Sequence, residues 1–558
     1  MEVAESNELA AYSRCKRAHG LPCPPCKYWV ELSEKIPLTK DDANHISLIS
    51  KLAELRTDIN SNHEPFIHRL PPEISTNILE MTLSREWYTV EQQHQLKREE
   101  QGWPLVLGAV CKTWRRLAWS SPRLWTVMHL RYDVTATELL TPIRLNIAEK
   151  WLRRSGQLPL SISIYALQEN LSDFRETARA VTQSLIPFAS LINRYSHRWQ
   201  WLDIQVTGAI LAILTGNGRA GILDRLRIIE DDMAPAILFG LDGTEPSPRL
   251  LSSTLSIVQA VDRRNLVIVQ LSQLSHGDIL DLLKSAPRLE NCELADIDFD
   301  PDSYDETCPR FAHEKLNSLK IDCMDSNGNS PLFSKLFLPT LQHLRFEHYY
   351  DIFDFTSLID VALHSKTWSL TSLCLDCRFA NDGGLLLFLQ HSVLLEEVEL
   401  NIERESQSMQ EIFSLLRHLA ATKSNASADY VKIEGAEIFL PKLTRLMIVT
   451  TPPQPAQQEA KFLWGLCADI FKPISDIDSK ACFRRTSLSL SVEHYNDQDD
   501  LPDHDSFISE LETQRFEEIS KAGISLRLRN IGERGDFDIL EFSKRHHAGL
   551  FNPFMTVL

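Results

Sequence analysis

The residues best suited to chemistry stand near the start, in "CKRAHGLPCPPC", which carries Cys15, His19, Cys23 and Cys26. Three thiols and an imidazole are a donor set for tetrahedral zinc. The spacing matches no common finger, and Pro24 and Pro25 stiffen the turn between the last two donors. A zinc site and a weakly structured tail over residues 1–38 both fit this stretch; the tail is the expectation. In "RHHAGLF", His546 and His547 are adjacent and so project in different directions from a helix or a strand. "DQDDLPDHDS" (497–506) lacks the frame of a calcium loop and reads as a solvated loop. Cys374 and Cys377 have no second pair nearby and read as ordinary thiols. The phosphate-loop, dinucleotide, nucleophile-elbow and zinc-protease motifs are all missing. No catalytic residue, metal or cofactor is therefore expected.

The 558-residue chain has a formal net charge of −18, which argues against nucleic acid as the main partner, because phosphate binding needs a basic footprint. An apolar fraction of 43% and a charged fraction of 24% are ordinary for a soluble globular protein. Eleven scattered cysteines do not form a disulfide framework and suit a reducing compartment. "MEVAESNELAAYSRCKR" has no basic stretch leading into an apolar core, so no secretory signal is expected. No apolar run nears the roughly 18 residues of a membrane span. The expectation is a cytoplasmic or nuclear protein with no membrane contact.

Several elements are legible. Thr39 and Asp42 can cap a helix over 39–62, where Leu48, Leu52, Leu55 and Ile59 step by 4, 3 and 4. This seam is too short to separate self-association from packing on the next domain. In "IHRLPPEISTNILEMTL" (67–83), Pro71 and Pro72 suit a first helical turn. Ile74, Ile78 and Met81 then share one face, read as the buried one, with Leu79 and Leu83 pointing away. After a polar insertion at 84–103, a second helix begins at Pro104. Its expected core face is Leu107, Val110, Cys111, Trp114, Leu117 and Ala118, with Leu105 and Trp119 on the far side. Pro122, Leu124 and Trp125 form a short third helix, and "TVMHL" alternates like a strand. So small a bundle with apolar residues on both faces offers surplus surface, either to a partner or to the rest of the chain.

These residues resemble the F-box domain. Leu70-Pro71-Pro72-Glu73 matches its opening Leu-Pro-x-Glu, and Val110-Cys111-Lys112-Thr113-Trp114-Arg115-Arg116-Leu117-Ala118 matches its second-helix signature. Pro122, Leu124 and Trp125 match its closing P-x-L-W. The close resemblance covers 63–130, the 84–103 insertion being its departure from the short form. "WLRRSGQLPLSISI" (151–164) and "YSHRWQWLDIQV" (195–206) are similar to segments that follow the box in large fungal F-box families, where a short helix before the box also recurs. The resemblance implies binding to a Skp-type adaptor, and through it to a cullin–RING ubiquitin ligase. Leu70, Pro71, Pro72, Glu73, Ile74, Ile78, Leu79, Val110, Cys111, Trp114, Leu117 and Trp125 are the residues it assigns to the box core or the adaptor face.

Residues 131–550 repeat an L-x-x-L-x-L unit: "LDRLRI", "LENCEL", "LNSLKI", "LQHLRF", "LTSLCL", "LEEVEL" and "LTRLMI". Middle anchors at 292, 319, 344, 373 and 398 step by 27, 25, 29 and 25. That period predicts an irregular leucine-rich-repeat array, an α/β solenoid of parallel strands and helices, ending before a short tail at 551–558. The residues between the core leucines would line an open face. Arg227, Lys320, Arg345, Glu347, Asp376 and Glu399 are the candidates there for holding a substrate protein. The expected function is thus substrate recognition for a ubiquitin ligase. The alternatives are a protein-interaction scaffold not coupled to ubiquitination, and an enzyme with an unrecognised site.

Overall fold

The computed structural model describes residues 24–35, 42–62, 70–82, 103–133, 141–167, 174–206, 208–211, 213–214, 216, 220–230, 248–254, 261–297, 309–323, 332–353, 355–365, 369–379, 383–404, 406–420, 439–451, 462–471, 485, 487–496, 508–532 and 536–548. The chain divides into two compact units, 1–223 and 224–558. It is mixed α/β with largely parallel strands, compatible with an α/β solenoid. No helix among the described residues is long and apolar enough to cross a membrane.

In the first unit, α1 (Pro24–Lys35) packs against α2 (Asp42–Asn62). Helix α1 stands where a weakly structured tail was expected; its two leading prolines sit in the first turn, where no helical partner for the N–H is lost. Leu48, Leu52, Leu55 and Ile59 are half-buried along α2. A helical module follows: α3 (Pro72–Met81), α4 (Trp103–Val110), α5 (Lys112–Ser120) and a 3-10 turn, Pro122–Trp125. Three parallel strands come next, β1 (Val127–Asp133), β2 (Leu160–Leu167) and β3 (Trp199–Val206). Parallel pairing requires crossovers, supplied by α6 (Thr141–Arg154) and α7 (Phe174–Asn193). The buried Arg198 is kept satisfied there, donating to the carbonyls of Leu158 (2.8 Å) and Leu152 (3.4 Å) and to Ser155 Oγ (2.6 Å).

In the second unit the strands pair in chain order. They are β4 (Arg225–Glu230), β5 (Leu250–Thr254), β6 (Ile268–Ser272), β7 (Asn291–Ile297), β9 (Ser318–Cys323), β11 (His343–Phe353), β12 (Ser372–Phe379), β13 (Glu397–Glu403), β14 (Arg445–Thr451), β15 (Ser489–Asn496) and β16 (Leu526–Gly532). All are parallel; β17 (Phe537–Asp538) closes the edge antiparallel, while β8 (Phe311–Ala312) and β10 (Leu336–Phe337) pair separately. The expected anchors fall into one register row: Cys292, Leu319, Leu344, Leu373 and Val398 are Cα partners in succession. Two residues on, Leu294, Ile321, Phe346, Leu375 and Leu400 form a second buried row. Each strand thus buries alternate residues, and no single unit could cover them alone. The turns before the strands are tied by a repeating backbone bond: the N–H groups of Asn317, Gln342, Thr371, Glu396 and Thr444 donate to the carbonyls of Glu290, Asn317, Gln342, Thr371 and Glu396, each at 2.8–2.9 Å. This ladder satisfies backbone groups of the turns.

Candidate functional sites: an apolar helical face and an open sheet face

Pro71 precedes α3 with φ −54° and ψ 145°, and Pro72 opens the helix. The buried side of α3 is Ser75 and Leu79, which meet α5 and the 3-10 turn. Leu79 is 1% exposed, whereas Ile74, Ile78 and Met81 are 46%, 37% and 85% exposed. The face expected to be core is therefore the outer one, and Leu79, expected to point away, is the core residue. The physical reason is Ser75: a small side chain lets α5 approach closely on that side. Thr82 Oγ1 bonds the Leu79 carbonyl at 2.5 Å, and Glu80 accepts from Ser121 Oγ (3.0 Å) and Arg123 (3.3 Å), tying the helix end to the turn.

The second helix expected from Pro104 to Trp119 is broken at Cys111, whose backbone is extended (φ −159°, ψ 171°). Cys111 Sγ accepts from the Trp114 N–H at 3.4 Å, an N-cap for α5. The break changes the helical phase. Leu107, Leu117 and Ala118 are buried as expected, but Val110, 49% exposed, is turned outward with Leu105 and Val106. Trp119, expected on the far side, stacks edge-on against buried Trp125 at 5.6 Å. Trp125 donates to the Ala118 carbonyl (2.7 Å) and meets Trp151 at 4.9 Å. The Arg154 guanidinium lies 4.7 Å from the Trp119 ring centre and 4.6 Å from that of Trp125. Leu70 and Trp114 are half-buried; Pro71, Pro72 and Glu73 are exposed. Val106, which the sequence does not single out, stands beside Leu105 on the exposed side of α4.

On the open sheet face, Lys320, Arg345, Cys374 and Glu399 form one register row, and Asp322, Glu347, Asp376 and Asn401 the next. Five of the six sequence candidates are thus brought together. Arg227 is not: it lies on β4 and is 6% exposed, so its guanidinium is not presented as expected. Glu347, also 6% exposed, is covered by Arg345, which hydrogen-bonds it, and by Lys320 at 3.6 Å. Asn401 donates to Asp376 at 3.3 Å. Burial, with Glu347 and Asp296 nearby, raises the Asp322 pKa. Burial also raises that of Asp376, against the opposing Asn401 hydrogen bond. Burial and the Glu399 charge push the Cys374 thiol up to about 12, so it is no thiolate nucleophile at neutral pH.

One constellation invites a catalytic reading. His129, Ser163 and Asp203 are Cα partners on β1, β2 and β3. Serine stands in the middle, so the carboxylate cannot orient the imidazole, and Tyr165 donates to Asp203. His546 and His547 lie on the helix Ile539–His547, with His547 Nε2 bonded to the Ile508 carbonyl at 2.8 Å. No cluster of three metal-ligating side chains occurs among the described residues; Cys26 is on α1, and Cys15, His19 and Cys23 lie outside them, as do 497–506 and most of the 84–103 insertion. No family model matches the chain, and no curated protein matches it.

Proposed function

We propose that this chain is a non-catalytic substrate-recognition subunit of a cullin–RING ubiquitin ligase, working in the cytoplasm or nucleus. The module over 70–126, read as an F-box, binds a Skp-type adaptor, and the strand array, read as irregular leucine-rich repeats, holds a substrate protein. The observation that carries the reading is the set of outward apolar side chains on α3 (Ile74, Ile78 and Met81) and on α4 (Leu105, Val106 and Val110), all more than a third exposed beside a packed core. A small helical module that turns large apolar side chains outward is a docking surface for a protein. The inner and outer roles then separate: Ile74, Ile78 and Val110 meet the adaptor, while Leu79, Leu117 and Trp125 hold the module together. The chemistry supplied is proximity, an effective concentration of substrate beside the ligase.

Pull-down with a purified Skp-type adaptor tests this. The wild-type chain should bind, and Ile78→Asp with Val110→Asp should abolish binding while leaving the circular-dichroism spectrum unchanged. A folded wild type that fails to bind leaves the scaffold reading in its place. Binding that survives both Ile78→Asp/Val110→Asp and Leu70→Ala/Pro71→Ala removes the site assignment.

A further inference from the structure

We draw no further inference here: the strongest candidate, the outward apolar stripe of Ile143 and Ile147 on α6, 59% and 44% exposed, carries nothing, because nothing in the structure shows what covers it.

Discussion

Leu79 and Ile78 are neighbours in sequence and opposites in the structure, so truncating each to alanine gives a decisive comparison. Leu79 is 1% exposed and faces α5 and the 3-10 turn. Leu→Ala in a core costs about 2–5 kcal/mol, depending on how far the site collapses. Helix α3 is ten residues long and packs on few neighbours, so it can shift into the gap, and about 2–3 kcal/mol is expected. Ile78 is 37% exposed; the methyl groups it loses are largely solvated already, and below about 1 kcal/mol is expected. The difference of about 2 kcal/mol is roughly a thirtyfold change in a local opening equilibrium. Because two compact units need not unfold together, a global melting temperature is the wrong readout. Amide hydrogen exchange over residues 75–80, read by mass spectrometry, reports the opening of α3 directly. Exchange should accelerate roughly thirtyfold more in Leu79→Ala than in Ile78→Ala. Equal acceleration, or a larger effect at Ile78, would refute the assigned helix phase and with it the outward apolar face.

Other expectations can be checked one by one. His494 is buried between Phe462 and Trp464 (ring centres 5.2 and 5.1 Å), and burial, with Arg404 nearby, lowers its pKa to about 3. The unfolded chain takes up this proton near pH 6.5 and the folded chain does not, so stability is full above pH 6.5 and falls as pH drops towards 3, by about 1.4 kcal/mol per unit; urea titrations at pH 7 and 5 should show the loss, and His494→Leu should reduce it. Gly108→Ala places a methyl carbon 1.8 Å from the Trp119 ring, so a loss of about 1–3 kcal/mol with a changed near-ultraviolet spectrum is expected. Arg154→Ala removes the cation over Trp119 and Trp125 and should cost about 0.5–2 kcal/mol with a shift in tryptophan emission. An unchanged emission spectrum would count against that stack.

The strand array was legible because its signal is local and repeated. Anchors 25–29 residues apart land in register since each strand buries alternate residues against the next, and the spacing absorbs variable loops without altering the row. The helical module was legible as a module but not in its facing. In α3 both stripes are apolar, and burial is decided by Ser75, whose smallness matters only once α5 is in place. Around Cys111 every residue is compatible with a helix, so the break that turns Val110 outward leaves no mark in propensity. On the sheet face, side-chain direction followed from alternation, but the covering of Glu347 depends on Lys320 and Arg345, one on the neighbouring strand and the other two residues away on the same strand. Arg227 has the right direction and is buried all the same, which no alternating pattern records.

The outward side chains of α3 and α4 also fix how salt should act on a partner held there. They are isoleucine, leucine, valine and methionine, whose burial does not weaken with ionic strength and strengthens with excluded salts. Adaptor capture by the full chain should therefore persist at 0.5 M sodium chloride, whereas a charge-held complex would weaken as the screening length contracts from about 10 Å at 0.1 M to about 3 Å at 1 M. If salt abolishes adaptor capture, these side chains are not its seat.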